Sequence, residues 1–354
     1  MNAARLKDIM KGWPALIALS LVLEVIWDSV GLPASAMMGP MLAAIVLSLK
    51  GVKLAVPPRA FLFSQGLVGI MMAERVPITV FDRLGASWPL FLGGTVWAMA
   101  AALFIGVILS RRKVLPGTTA MWGVSPGAAM AMVVMSEDYG ADMRMVAFMQ
   151  YLRVILVSIG AALVSGIAGI GPGGKAAAVW FPAIHWPSFA VTLAFTGGAV
   201  YLGKLLRLPG RAILAPFIGG LLLSQTGYLR LDLPPWLLVA AYALIGASIG
   251  LRFTREVLKN VAQALGKIVA AILSLMALCA LFAALLVWAG DLDPLTAYLA
   301  TSPGGVETVA IIAASAGADV AFVMAMQTFR MLLVLFTAPP LTRLVTQKLL
   351  KRER

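Results

Sequence analysis

The chain has 354 residues, 61% of them hydrophobic and only 12% charged, with a mean hydropathy of +0.95. A soluble domain averages about 45–50% apolar and about 25% charged, so this composition excludes a water-soluble globular fold and predicts an all-α polytopic membrane protein. The net charge of +13 sits in short loops between apolar runs; it reads as membrane orientation and lipid headgroup contact, not as a nucleic-acid partner.

In chain order, Arg5, Lys7 and Lys11 precede the first apolar run, which Glu24 and Asp28 interrupt. It lacks a small-residue cleavage site and reads as an uncleaved first helix rather than a signal peptide. The first half holds apolar segments at roughly 13–31, 33–49, 60–74, 88–109, 116–136 and 143–168. A Gly-, Pro- and Ala-rich connector occupies 169–186. Six further segments follow at roughly 187–204, 209–226, 236–250, 264–290, 294–316 and 319–342, then a basic tail at 347–354 expected on the cytoplasmic side. Trp13, Trp88, Trp180, Trp186, Trp236 and Trp288 stand at segment ends, as in an aromatic belt. Cys279 and His185 are each the single residue of their type. No disulfide within the chain and no His/Cys metal cluster can be built from them, so no metal and no cofactor is expected.

The halves superpose as a duplication, first repeat 1–168 and second repeat 187–346. Leu32-Pro33 with Gly39-Pro40 matches Leu208-Pro209 with Ala215-Pro216 at an offset of 176; from there the offset is 177. Val68-Gly69 falls on Ile245-Gly246, Thr119-Ala120 on Thr296-Ala297, and Ser125-Pro126-Gly127 on Ser302-Pro303-Gly304. Gly140-x-Asp142 falls on Gly317-x-Asp319, and Gln150-x-x-Arg153 on Gln327-x-x-Arg330. In membrane proteins such duplication points first to transporters.

Loop charge predicts the topology. With the N-terminus inside, six crossings per half would place Lys204, Arg207, Arg211 and the basic group from Arg252 to Lys267 outside, against the positive-inside rule. If 116–136 and 294–316 are instead re-entrant hairpins, each half has five crossings, the repeats are inverted and both termini are cytoplasmic. A broken helix that crosses, giving six crossings per repeat, would look the same locally.

Each Ser-Pro-Gly is a break. Proline removes a donor and clashes with the preceding turn, and glycine permits a sharp turn. Non-helical backbone at membrane depth belongs beside a cavity. A second half-helix starting at Gly127 or Gly304 would turn free N–H groups inward, an anion site that Ser125 and Ser302 could cap; the competing reading is a proline kink that shapes packing. Asp142 and Arg153 are 11 residues apart, as are Asp319 and Arg330, almost three helical turns and so on one face. Gln150 and Gln327 sit on the adjoining strip. Each Arg would lie about 16 Å along its helix, near the midplane, where a cation needs a cavity or a partner. It either binds substrate or ties down hairpin carbonyls. Candidate substrate ligands are therefore Ser125, Pro126, Gly127, Gln150, Arg153, Ser302, Pro303, Gly304, Gly305, Gln327 and Arg330. Glu307, Glu24, Asp142 and Asp319 are candidates for a coupling H⁺ or Na⁺, with helix N-capping the plainer role for the two aspartates.

The run from Pro116-Gly117-Thr118-Thr119 through Ser125-Pro126-Gly127 to Arg153, its partner Thr301-Ser302-Pro303-Gly304-Gly305-Val306-Glu307 to Arg330, and Leu208-Pro209-Gly210-Arg211 resemble the bacterial AbrB-type membrane proteins, which carry an internal duplication. The resemblance covers nearly the whole chain. It implies the membrane fold, in the bacterial inner membrane; members are labelled ammonia monooxygenases or regulators of gene expression. One His and scattered acids do not supply the ligand cluster of a copper or iron oxygenase. The residues therefore predict no enzyme but a secondary transporter of a small anion, its site at the midplane between two hairpins. A membrane-embedded sensor that affects gene expression is the alternative. The expected partners are the lipid bilayer, the anion, a proton or Na⁺, and a second copy of the chain.

Overall fold

The computed structural model describes residues 3–30, 34–74, 79–167, 181–206, 211–226, 232–290, 292–304, 309, 313 and 318–352. Every regular element among them is helical: α1 (Ala3–Ser29), α2 (Ser35–Leu49), α3 (Pro58–Glu74), α4 (Thr79–Arg111), α5 (Gly117–Val124), α6 (Ala129–Asp138), α7 (Met143–Ile167), α8 (Trp186–Leu205), α9 (Arg211–Thr226), α10 (Pro235–Gly250), α11 (Arg255–Gly290), α12 (Pro294–Thr301) and α13 (Val320–Arg352). Six stretches, in α1, α4, α7, α8, α11 and α13, are long and apolar enough to cross a membrane. Large apolar side chains face outward, among them Val25, Phe104, Leu163, Leu222 and Leu281, while Gln65, Thr119, Gln150, Arg153, Gln327 and Arg330 are buried. That inversion of polarity is what a hydrocarbon solvent demands. Trp88, Trp186 and Trp288 are exposed at segment ends, and His185 caps α8 by accepting from the Ser188 N–H.

Two compact units form, and they are not the two sequence repeats. Unit 1 takes 1–76 and 177–260; unit 2 takes 77–176 and 261–354. Each therefore draws on both halves of the chain.

Unit 1 packs α2 on α10 and α3 on α9, with α1 beside α2 and α8 beside α9. These contacts repeat the sequence offset. A Cβ on Gly69 of α3 would collide with the Ile213 carbonyl of α9, and one on Gly246 of α10 with the Met37 carbonyl of α2. Gly250, one turn on, is as tight against the Met41 carbonyl. Small residues that let backbones touch are how helices associate without a hydrophobic drive between them. We expect Gly246→Val and Gly250→Val each to cost about 1–3 kcal/mol, the range of overpacking, seen as a lower thermal midpoint in detergent. Gly197→Ala and Gly198→Ala, where an added Cβ meets nothing within 4 Å, leave the midpoint unchanged.

Candidate functional site

The breaks lie in unit 2, and hydrogen bonds define their shape. α5 ends at Val124, Ser125-Pro126-Gly127 follow, and α6 starts at Ala129. The Asp142 N–H, just beyond α6, donates to Thr119 Oγ1 near the start of α5 at 3.0 Å. A straight broken helix would separate these positions by more than about 30 Å at 1.5 Å per residue. The chain instead comes back to where it began, so the segment is a hairpin with the break at its tip. The Asp319 N–H donates to Thr296 Oγ1 at the same 3.0 Å, which closes the second segment in the same way.

From each base a long helix runs alongside the first arm. On α7, Gln150 Nε2 donates to the carbonyls of Trp122 (2.8 Å) and Ser125 (3.1 Å). On α13, Gln327 Nε2 donates to Leu299 (2.8 Å) and Ser302 (3.1 Å). One turn on, Arg153 Nη1 donates to the Ser125 carbonyl at 2.6 Å and Nη2 to that of Gly127 at 3.4 Å. Arg330 Nη1 donates to the Thr301 carbonyl at 3.0 Å, and its Nη2 to Gln327 Oε1. These carbonyls are the ones a helix leaves unpaired at its C-terminus. The arginine and glutamine of each half thus cap a half-helix that stops inside the protein.

The two tips reach each other's helices. A Cβ on Gly127 would lie 3.1 Å from Val334 Cγ1, one turn past Arg330; a Cβ on Gly304 would lie 2.9 Å from Val157 Cγ1, one turn past Arg153. α13 continues past the first tip until Arg343 stacks 4.8 Å over the Tyr139 ring at the first hairpin's base. α7 continues past the second tip to Gly160, against the Tyr298 hydroxyl of α12. At 1.5 Å per residue, Arg343 lies about 35 Å from the start of α13 and Gly160 about 26 Å from the start of α7, so the far part of each long helix lies beside the other half's hairpin, near Tyr139 and Tyr298.

Arg153 and Arg330 are 1% and 2% exposed. Among the described residues no carboxylate pairs with either. A guanidinium carries five N–H groups; the two bonds on each leave three, and both Nε atoms are buried without a partner. Gln150 Oε1 and Trp122 Nε1 are buried and unpartnered as well. The single cysteine, Cys279 on α11, is buried. A small pocket lined by Met99, Met121, Ser125, Pro126, Val334 and Thr342 reaches the first break.

Some expected roles differ in detail. Ser125 ends α5, and α6 starts without a side-chain cap; Ser302 ends α12, where its Oγ donates back to the Leu299 carbonyl at 3.1 Å, and the half-helix expected after Gly304 lies outside the described residues. The break glycines are not held by left-handed backbone, since positive φ occurs among the described residues at Gly51, Gly140, Ala34 and Lys113; an added Cβ would instead press on Met132 and Val334 at Gly127, and on Val157 and Val309 at Gly304. Asp142 and Asp319 are N-caps. Asp142 Oδ1 accepts from the Arg144 N–H at 3.0 Å, and Asp319 Oδ1 from the Phe322 N–H at 2.9 Å, at the hairpin bases rather than the tips. Glu24 lies on α1 in unit 1, where its backbone packs on Gly39. Gly305 and Glu307 lie outside the described residues. Trp122, whose ring meets Tyr139 at 5.1 Å, was recognisable in sequence only as a flank of the break. The orphaned Gln150 oxygen had no sequence signal, because Gln327 matches it letter for letter.

Two tests follow from the bases. Thr119→Val and Thr296→Val each remove one closing bond, and each is expected to cost about 0.5–1.5 kcal/mol, read as thermal midpoint. Partial burial raises the Asp142 carboxyl, but the hydrogen bonds and charge of Arg144 outweigh it and hold the group below its ordinary value. A depressed folded-state value means that the stabilisation is present above the ordinary carboxylate range and fades as pH falls through the lowered value. Acid titration of the midpoint should therefore lose part of its slope in Asp142→Asn.

The family model described as Transition state regulatory protein AbrB matches residues 36–346. The chain is 41% identical over 344 residues to an Escherichia coli (strain K12) protein named "Putative regulator AbrB", covering 96% of this chain and 98% of the relative. It is 25% identical over 305 residues to a Bacillus subtilis (strain 168) protein named "Uncharacterized protein YhjN", covering 79% and 77%. With most of its length matched by the family model and by the first of these relatives, the chain belongs to the AbrB family.

Proposed function

We propose that this protein is a secondary transporter of a small anion in the bacterial inner membrane. Its two inverted repeats each contribute five crossing helices and one re-entrant hairpin, both termini are cytoplasmic, and the substrate site lies at the midplane between the hairpin tips. The observation that carries the reading is the pair of buried guanidiniums at two facing helix breaks, with Nε–H groups that no described residue accepts. A buried cation without a counter-charge is costly. An anion supplies that charge and accepts the free N–H groups. The tight carbonyl contacts make Arg153 and Arg330 positioning groups for the breaks as well as anion ligands. Alternating access would then require the site to open to each side in turn, with a proton or Na⁺ coupled through Glu307 or Glu24. Catalysis plays no part in this reading.

A second reading, a membrane-embedded sensor that regulates gene expression, is favoured by the word "regulator" in the name of the Escherichia coli relative. It would use the same pocket and signal through the basic tail, 347–354. Deleting residues 348–354 separates the two: a transporter keeps its flux, and a sensor loses its output.

The test is flux in proteoliposomes loaded with labelled small anions, under an imposed proton or Na⁺ gradient. Net anion uptake is expected. Arg153→Ala and Arg330→Ala are each expected to lower it by roughly 10- to 100-fold, the worth of a lost charged hydrogen bond. No flux of any anion under any gradient, or full flux in both variants, contradicts the reading.

A further inference from the structure

We propose that the anion accepted at the first break carries a neutral O–H donor beside its charge, as a small hydroxycarboxylate or hydrogen phosphate does. The inference rests on the anion reading above and narrows its substrate class.

It comes from a difference between two otherwise matched halves. Gln150 and Gln327 both direct Nε2 at two carbonyls. That fixes each amide, because turning it over would set Oε1 against two carbonyl oxygens. Oε1 is therefore the free end in both halves. In the second half it accepts from Arg330 Nη2. In the first, Arg153 turns both Nη atoms to the Ser125 and Gly127 carbonyls instead. Gln150 is 0% exposed, and no described group donates to its Oε1.

An unpaired acceptor and an unpaired cationic donor thus stand together. Gln150 Nε2 and Arg153 Nη1 donate to the same Ser125 oxygen, at 3.1 and 2.6 Å, so the two side chains stand side by side at the break, and the proposed ligand would address both. Acetate or sulfate offers acceptors only. Either would meet Arg153 and leave Oε1 desolvated and unpaired, the arrangement that costs most. An ammonium donor, as on an amino acid, would stand against two guanidiniums. A neutral O–H donates to Oε1 without that repulsion, while the charged oxygens take the Arg153 N–H groups.

The test is equilibrium binding to the purified full-length protein, using matched probes: glycolate against acetate, lactate against propionate, and phosphate against sulfate. The O–H member of at least one pairing should bind roughly tenfold more tightly, the worth of about one buried hydrogen bond. In Gln150→Met that preference should collapse to within about twofold, because the acceptor is gone. Preference among the carboxylates identifies the hydroxycarboxylate source; preference for phosphate identifies the phosphate source. Equal binding within every pairing overturns this inference and leaves the anion reading standing. No binding of any probe overturns both. If Gln150→Met fails to fold, the matched probes on the native chain still decide.

Discussion

A helix that stops inside a membrane protein leaves carbonyl oxygens that no water can reach, and the rest of unit 2 follows from how these are satisfied. α5 and α12 both stop at Ser-Pro-Gly. Glutamine closes two carbonyls at each stop; Arg153 adds a second donor at Ser125 and reaches Gly127, and Arg330 closes Thr301. A lysine could not do the same, since capping there calls for a planar fork with several donors in fixed directions. Using arginine also buries a positive charge at each break. What stabilises the backbone break therefore creates an electrostatic demand, and it is this demand that the proposed anion would meet.

The same two-fold logic runs through both units. In unit 1, Gly69 against Ile213 and Gly246 against Met37 are equivalent contacts. In unit 2, Gly127 against Val334 and Gly304 against Val157 are equivalent too. Each contact joins one half of the chain to the other, so neither half could bury its small-residue faces alone. This explains why the compact units cut across the sequence repeats. The departures from symmetry are then the informative features. Arg330 holds Gln327 where Arg153 leaves Gln150 open, the difference on which the proposed O–H donor rests.

Much of this was legible in the sequence because hydrophobic length, proline and glycine act locally. The expected segments 143–168 and 236–250 correspond to α7 at Met143–Ile167 and α10 at Pro235–Gly250. The spacing of Asp142 and Arg153 placed the arginine at the depth of the break because helix geometry is regular. Three things were not legible. The Ser302 hydroxyl donates back to the Leu299 carbonyl at the end of its first half-helix, one of several local bonds open to a serine. The break glycines pack on Val334 and Val157, which stand 207 and 147 positions away in the chain. The open oxygen of Gln150 depends on a rotamer of Arg153, which no letter encodes.

The most direct test of the central claim, that the paired arginines form an anion site, is the thermal midpoint of the purified native protein with glycolate, acetate, phosphate or sulfate added at constant ionic strength. An anion that binds only the folded chain stabilises it as its concentration passes its Kd. At least one of the four is expected to raise the midpoint saturably, and Arg153→Ala is expected to remove that rise. A midpoint that stays the same whatever the anion, or a rise that persists unchanged without the Arg153 guanidinium, would contradict the claim.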